Sequence, residues 1–262
     1  MRMRSKTMTA MAFCAGFLTA TFLVPPMARG QQPLQFKAAD GVEIFGVYYA
    51  APNSSQPMIL LFHQAGSNHW EYTGIAPKLV AAGFSCLAID QRWGGAMWGH
   101  GNETVHKLGH SENSSGKVSD LQADLEAALA WARQREPHRK VILWGSSYSA
   151  SLVFLVAAEH PDDVAAVLAF SPGEYFEGQP TLVRQAAMKV QVPVFVTSEN
   201  DADARTDATR IYDAVASKDK VEYKAQFAVH GSSTLRADRN PKGAAANWAA
   251  VMKFLRPFEK DQ

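Results

Sequence analysis

The chain has 262 residues, a length that suits one α/β domain, because single-core domains extend to about 250 to 300 residues. Hydrophobic residues make up 47% and charged residues 19%, an ordinary globular composition that excludes a disordered or collagen-like chain. Lys and Arg number 26 against 25 Asp and Glu, without long runs of either sign, so nucleic acid is not expected as a partner.

The first thirty residues have the pattern of a secretory signal peptide. A short basic segment precedes an apolar stretch at about residues 8–24, and two prolines and small residues follow, which predicts cleavage after Gly30. The alternative is an uncleaved membrane anchor, but the apolar stretch is short for the ~20 residues that a spanning helix needs. We therefore predict a secreted or periplasmic protein without stable membrane insertion, with a signal peptide at 1–30 and one domain at 31–262.

Cysteine usage adds little to this prediction. Cys14 lies inside the predicted signal peptide, which leaves Cys86 as a single thiol in an apolar segment. No intramolecular disulfide is then available, and the domain has to be stabilised by its core.

Strand-like and helical patterns alternate along the rest of the chain. Strands are predicted at 34–37, 43–49, 58–62, 84–89, 140–144, 164–170, 193–197 and 221–229. Helices are predicted at 70–82, 119–135, 148–159, 207–216 and 243–255. Asp40-Gly41 indicates a hairpin between the first two strands, and the later alternation is typical of a parallel sheet with crossover helices.

A serine stands where the strand at 140–144 leads into the helix at 148–159. A sharp strand-to-helix turn raises the Ser147 side chain above the sheet, and small residues two positions before and after it relieve crowding. Gly145 fits the first of these positions, and Ser149 stands where glycine is usual. The alternative interpretation of Ser147 is an N-cap serine that begins a buried helix.

A histidine and several carboxylates follow later strands. His230 comes directly after the last predicted strand, at the edge of the sheet where a general base for Ser147 has to lie. The alternative for His230 is a structural role. Glu199, Asp201 and Asp203 all follow the strand at 193–197, so residue order alone leaves the acid open.

In chain order, the segment His63-Gln64-Ala65-Gly66 after the third strand, the serine turn, the carboxylates and His230 resemble the α/β-hydrolase superfamily. The resemblance spans essentially the whole mature chain and is strongest to small members similar to dienelactone hydrolases and esterases. It implies a mostly parallel eight-stranded sheet with helices on both faces, an N-terminal antiparallel hairpin and no large cap domain.

The resemblance also implies roles for individual residues. The family pattern puts the acid at Asp201, with Asp203 in reserve, and the oxyanion-hole donors at the backbone N–H groups of Ala65 and Tyr148. Gln64 departs from the usual glycine. We interpret His63 as a structural histidine that braces the loop.

The predicted function is therefore that of a serine hydrolase that cleaves small to medium carboxylic esters through an acyl-enzyme on Ser147, with His230 as base. A peptide or amide hydrolase on the same fold and a non-catalytic binding protein are the alternatives. No metal or organic cofactor is expected, because the predicted acyl transfer needs neither. We do not interpret His100, His106 and His110 as a metal site, because they lack an accompanying cysteine or a paired carboxylate at fixed spacing. The expected partner is a small ester or amide.

Overall fold

The described part of the chain consists of residues 30–52, 54–109 and 116–259 of a computed structural model. The predicted signal peptide lies outside these residues except for Gly30. The described residues form eight strands: β1 Gln31–Lys37, β2 Glu43–Tyr49, β3 Met58–Phe62, β4 Cys86–Asp90, β5 Val141–Ser146, β6 Val164–Phe170, β7 Val194–Thr197 and β8 Lys220–Glu222.

Seven α-helices surround these strands in the described ranges. They are α1 Ala76–Ala81, α2 Glu103–Leu108, α3 Val118–Arg135, α4 Tyr148–Glu159, α5 Leu182–Ala187, α6 Ala202–Ala214 and α7 Ala244–Leu255. Across those same ranges, no helix combines the length and the apolar character needed to cross a membrane.

The strands form one sheet in the order β1-β2-β4-β3-β5-β6-β7-β8. β2 is antiparallel to both β1 and β4, and every other pair of neighbouring strands in the sheet is parallel. Phe62 of β3 lies opposite Gly145 of β5, and Phe170 of β6 lies opposite Thr197 of β7. Because parallel strands end at the same edge, the loops after β3, β5, β6 and β7 meet there.

Each face of the sheet is covered by its own hydrophobic layer. In β5, Leu143 belongs to the layer beneath α3, α4, α5 and α6, whereas Ile142 and Trp144 belong to the layer beneath α1 and α7. This alternation follows from the two-residue period of a strand. The predicted fold class, with helices on both faces, an N-terminal hairpin and no large cap, is confirmed.

The structure corrects the prediction for the last strand. β8 ends at Glu222, and the carbonyl groups that follow it accept hydrogen bonds from side chains instead of a neighbouring strand. Arg205 donates to Ala225 O at 2.8 Å, Asn200 donates to Gln226 O at 2.6 Å, and Asn247 donates to Phe227 O at 3.0 Å. These side-chain donors satisfy the carbonyl groups of residues 225–227 without a sheet.

Helix predictions differ from the structure in three places. The helix predicted at 70–82 is a 3-10 helix at His69–Tyr72 followed by α1, whose first turn contains Pro77, a residue favoured there because it lacks an N–H group. α6 begins at Ala202, ahead of the predicted 207, because Asp201 caps it. The short helices α2 and α5 were not predicted.

Candidate active site

Ser147 occupies the sharp turn between β5 and α4. Its backbone has φ 59° and ψ −124°, a left-handed conformation that costs a non-glycine residue about 1–3 kcal/mol. A Cβ atom on Gly145 would lie 2.3 Å from the carbonyl oxygen of Ser149 and 2.5 Å from Cα of Ala150. The turn therefore requires glycine at position 145, and it leaves Ser147 9% exposed at the end of the sheet.

The structure brings His230 to the Ser147 hydroxyl across a separation of 83 residues. Its Nε2 lies 2.7 Å from Ser147 Oγ, and the imidazole is 42% exposed. His230 immediately precedes the 3-10 helix Gly231–Leu235, which packs against β5. The two residues that sequence analysis pairs as nucleophile and base are thus in hydrogen-bond contact.

The carboxylate beside His230 belongs to Glu199, which corrects the prediction of Asp201. Glu199 Oε1 lies 2.6 Å from His230 Nδ1. Asp201 instead caps α6, where its Oδ1 accepts hydrogen bonds from the backbone N–H groups of Asp203 and Ala204, both at 3.0 Å. Asp203, the reserve residue, is exposed in the first turn of α6.

Ser171, at the end of β6, holds the Glu199 carboxylate from its other side. Its hydroxyl donates to Glu199 Oε2 and accepts a hydrogen bond from the Gly231 N–H at 2.9 Å. Ser171 has a φ of 58°, and its carbonyl oxygen accepts a hydrogen bond from the Tyr175 hydroxyl at 2.7 Å. One residue therefore connects the acid, the backbone next to the base and an aromatic side chain, and sequence analysis did not identify it.

Electrostatics in this chain of contacts favour an ionised acid. Burial raises the pKa of Glu199, but hydrogen bonds from His230 and Ser171 outweigh that effect and bring it down to about 2. The hydrogen bond to Glu199 raises the pKa of His230 above 6.5, and burial opposes this. The ionised carboxylate fixes the proton on Nδ1, so neutral His230 presents the lone pair of Nε2 to Ser147.

The residues predicted as oxyanion-hole donors follow two neighbouring strands, β3 and β5. Tyr148 is the first residue of α4, and Ala65 is in the turn after β3, the strand next to β5. That turn is fixed by the Gln64 N–H, which donates to Glu71 Oε2 at 3.0 Å, and by the Gln64 carbonyl, which accepts from the Ser67 N–H at 3.2 Å. Donation by Ala65 and Tyr148 to a substrate oxygen stays a prediction.

Ser149, which replaces a usual glycine, binds α4 to the loop after β3. Its hydroxyl donates to the carbonyl oxygen of His63 at 2.6 Å and accepts from Gln91 Nε2 at 2.8 Å. The imidazole of His63 is buried, contacts the carbonyl oxygen of Gln64 at 2.7 Å and accepts the Gln91 N–H at 2.8 Å. Burial lowers the pKa of His63 to about 4, so this histidine is neutral and braces the loop.

Other histidines of the described residues lie in separate surroundings. The ring of His100 stacks on Trp70 at 3.5 Å, and His110 lies outside the described residues. A group of potential metal ligands is formed by Glu126, Glu159 and His160, whose ligand atoms lie within 4.8 Å of one another at the end of α4 farthest from Ser147. His160 Nε2 already contacts Glu126 Oε2 at 2.7 Å.

Residues 53–238 match the family described as serine aminopeptidase, S33. The chain belongs to this family. A relative of this S33 chain is the quorum-quenching protein AidA of Acinetobacter baumannii, which is 30% identical over 151 residues, covering 54% of this chain and 44% of that protein. The chain therefore spans less than half the length of that curated relative.

Solved structures similar to this S33 family chain are a dienelactone hydrolase and two esterases. The dienelactone hydrolase of Anabaena variabilis has a TM-score of 0.66 at 18% identity, covering 88% of this chain and 100% of that one. The Pyrococcus furiosus esterase has a TM-score of 0.66 at 15% identity over 88% and 92% of the two chains. A thermostable carboxyl esterase of Bacillus coagulans has a TM-score of 0.66 at 11% identity over 89% and 100%.

At these identities the likeness concerns the fold, which all three share with this chain. The resemblance to the α/β-hydrolase superfamily is confirmed by the family match and by these structures together. The family match places the chain in a family of hydrolases, and the solved structures show the fold that it shares with them.

Proposed function

We propose that this protein is a serine hydrolase that cleaves small to medium carboxylic esters through an acyl-enzyme on Ser147. The observation that carries the proposal is the continuous chain of contacts from Ser147 Oγ to His230 Nε2, at 2.7 Å, and from His230 Nδ1 to Glu199 Oε1, at 2.6 Å. A hydroxyl, an imidazole and a carboxylate in this order are the requirements for nucleophilic acyl transfer.

In the proposed reaction, His230 Nε2 accepts the proton of Ser147 as Oγ bonds to the ester carbonyl carbon. The backbone N–H groups of Ala65 and Tyr148 stabilise the resulting oxyanion, and the start of α4 adds the positive end of its helix dipole. His230 then gives its proton to the leaving alcohol as the C–O bond breaks. Water repeats the cycle on the acyl-enzyme, which releases the acid and restores Ser147.

Glu199 supports this cycle without taking up the proton. It holds the imidazole in the tautomer that presents Nε2 to Ser147 and stabilises the imidazolium that forms in each half-reaction. Ser171 keeps the carboxylate in place from the other side.

The surroundings of Ser147 favour small or medium substrates with an apolar part. The connection between β6 and β7 holds only the short helix α5 in place of a cap domain. Trp93 packs on Tyr148 with ring centroids 4.7 Å apart, and Tyr175 is 41% exposed beside Ser171. The partly exposed rings of Trp93 and Tyr175 offer apolar surface near Ser147.

Labelling with a fluorophosphonate, followed by peptide mass spectrometry, tests the nucleophile. We expect one adduct on Ser147, and none on the Ser147→Ala variant. Hydrolysis of 4-nitrophenyl esters from acetate to palmitate then tests the substrate class, with turnover expected to fall at long chains. A protein that neither reacts at Ser147 nor hydrolyses any ester is the binding protein of the alternative hypothesis.

A lactone belongs in the same set of substrates, since a lactone is a cyclic ester and one structure with this fold is a dienelactone hydrolase. The second candidate function is peptide or amide hydrolysis, which the description of the matched family favours. Aminoacyl 4-nitroanilides, assayed beside the matching aminoacyl esters, separate the two. A higher kcat/KM for the anilides than for the esters would favour the second candidate.

A further inference from the structure

Glu71 is a fully buried acid beside the candidate active site that the proposed mechanism does not use. It lies in the 3-10 helix His69–Tyr72, and its side chain has no exposed surface. Burying a carboxylate is costly unless hydrogen bonds compensate it. The contacts of Glu71 therefore indicate what the residue does.

The two carboxylate oxygens of Glu71 connect three loops at the end of the sheet. Oε2 accepts from the Gln64 N–H at 3.0 Å and from Ser67 Oγ at 3.2 Å, both in the loop after β3. Oε1 accepts from Ser146 Oγ, next to the nucleophile, at 2.6 Å. The same Ser146 oxygen accepts from the Ser232 N–H at 2.9 Å, in the segment that follows His230.

These contacts orient the loop that holds a predicted oxyanion donor. Glu71 accepts a hydrogen bond from the Gln64 N–H and so fixes the backbone immediately before Ala65. The Ala65 N–H, the predicted donor, therefore lies in a turn that is held on one side. The 3-10 helix is itself held by Arg236, whose guanidinium donates to the carbonyl oxygens of Trp70 and Glu71 at 3.1 and 3.0 Å.

Three hydrogen-bond donors face the two carboxylate oxygens of Glu71, an arrangement that suits the ionised form, and that form acts electrostatically on His230. Burial raises the pKa of Glu71 above its ordinary value, and the hydrogen bonds from Ser146, Gln64 and Ser67, together with the nearby His230, offset this rise only in part. Two carboxylates raise the pKa of His230: Glu199, in direct contact, and Glu71, which is linked to the segment after His230 through Ser146 Oγ and the Ser232 N–H. Tyr72 and Tyr148 near Glu71 are neutral, since burial raises the pKa of each well above 10.

We propose that Glu71 is a positioning residue that fixes the oxyanion loop and, as a second carboxylate near the base, stabilises the His230 imidazolium. This inference rests on the proposed function for its catalytic consequence, but its electrostatic part is a property of the folded protein and is measurable without turnover. Glu71 contacts neither the substrate nor the reacting atoms in this role.

The Glu71→Gln variant separates charge from hydrogen bonding. Its amide oxygen can accept from the Gln64 N–H and Ser67 Oγ, and its amide nitrogen can donate to Ser146 Oγ, so the contacts with both loops remain, with the direction of the Ser146 hydrogen bond reversed, while the charge is lost. We expect kcat to fall on the order of tenfold, with KM little changed. The acid limb of kcat/KM should move to lower pH, because loss of a negative charge lowers the pKa of His230.

Ser67→Ala is the matched control, since it removes one hydrogen bond to Glu71 and keeps the charge. The acid limb of this variant should stay where it is in the wild type. A merely structural role for Glu71 would lower the melting temperature of Glu71→Gln and leave the acid limb unmoved, and that result would overturn the proposal.

NMR titration of the His230 ring supplies the readout that needs no activity. The pKa of His230 should be lower in Glu71→Gln than in the wild type, even if no ester is ever hydrolysed. If Glu71→Gln does not fold, the comparison with that variant is replaced by a ¹³C NMR titration of the Glu71 carboxyl group in the wild type. The Glu71 signal should be that of a carboxylate at pH 7 and should respond as His230 titrates; a protonated Glu71 at pH 7 would refute the proposal.

Discussion

Glu199 Oε1 lies 2.6 Å from His230 Nδ1, and this contact selects the acid from three carboxylates within five residues of the chain. Glu199 follows the end of β7 by two residues, so its side chain reaches the histidine while the chain is still at the edge of the sheet. Asp201, two residues later, already stands at the start of α6 and binds that helix's N–H groups. The difference between these roles is set by where β7 ends and α6 begins.

Replacing the acid should reduce activity far more than replacing the helix cap. We expect Glu199→Gln to lower kcat for a 4-nitrophenyl ester by about 10³- to 10⁴-fold, because the amide no longer stabilises the imidazolium or selects its tautomer. Asp201→Asn, the matched control, should retain wild-type kcat because asparagine also caps helices. Steady-state kinetics of both variants make the comparison, and a large loss in Asp201→Asn alone would restore Asp201 as the acid.

The pH profile should report the raised pKa of His230. Only the neutral imidazole can accept the Ser147 proton, so kcat/KM should fall as pH decreases through a pKa above 6.5, the ordinary value for histidine. The ionised Glu199 causes this rise in the pKa of His230. In Glu199→Gln, the acid limb of the residual activity should therefore move to lower pH. An acid limb at or below pH 6.5 in the wild type would contradict the ion pair.

The same shift makes a prediction for stability. A histidine whose pKa is higher in the folded than in the unfolded state stabilises the fold fully below the unfolded pKa, and this contribution is lost as pH rises through the folded value. The stabilising effect of wild-type His230 relative to His230→Gln should therefore decline as pH rises from below 6.5. Urea unfolding at several pH values measures it, and a difference that grows with pH would be inconsistent with the Glu199 contact.

Gly145 should tolerate no side chain. An added Cβ would meet the Ser149 carbonyl oxygen at 2.3 Å, so Gly145→Ala has to displace the start of α4 and with it the Ser147 hydroxyl. We expect loss of fluorophosphonate labelling or of soluble protein. Gly74→Ala is the control, since a Cβ there has no neighbour within 4 Å, and it should label as the wild type does. Normal labelling of Gly145→Ala would show that the turn is less constrained than this contact requires.

Ser149 should contribute to stability through its buried hydroxyl. Ser149→Ala leaves the His63 carbonyl oxygen and the Gln91 amide without their shared partner, which costs about 1–3 kcal/mol of unfolding free energy. For a chain of this size each kcal/mol lowers the melting temperature by about 2–4 °C. Thr206→Ala, at an exposed position of α6, should change it far less. Equal melting temperatures for the two variants would contradict the proposed link.

Much of the fold is predictable because strands and helices carry local patterns. The predicted bounds of β2, β3, β6 and α4 coincide with those observed, since each is an apolar segment flanked by turn residues. β8 was overestimated because residues 223–229 are apolar enough for a strand. The carbonyl groups of residues 225–227 accept hydrogen bonds from side chains in distant parts of the chain, such as Asn247, and no local pattern reveals that.

The candidate active site likewise contains residues that local sequence patterns predict and residues that they do not. Ser147 and His230 could be predicted because each stands at a strand end with a distinctive neighbourhood, and the topology of a parallel sheet brings such ends together. Ser171 and Glu71 carry no comparable local signal. Their importance arises from contacts with residues 28 and 75 positions away.

The amino-acid sequence by itself determined the fold class, the order of strands and helices, and the serine and histidine that meet at the end of the sheet, because periodicity and turn chemistry act over a few neighbouring residues. The tertiary structure alone decided that Glu199 and not Asp201 faces His230, and that Glu71 lies buried beside them. A side chain's partner depends on distances of a few ångströms between segments far apart in the chain, and those distances exist only once the sheet and its loops have assembled.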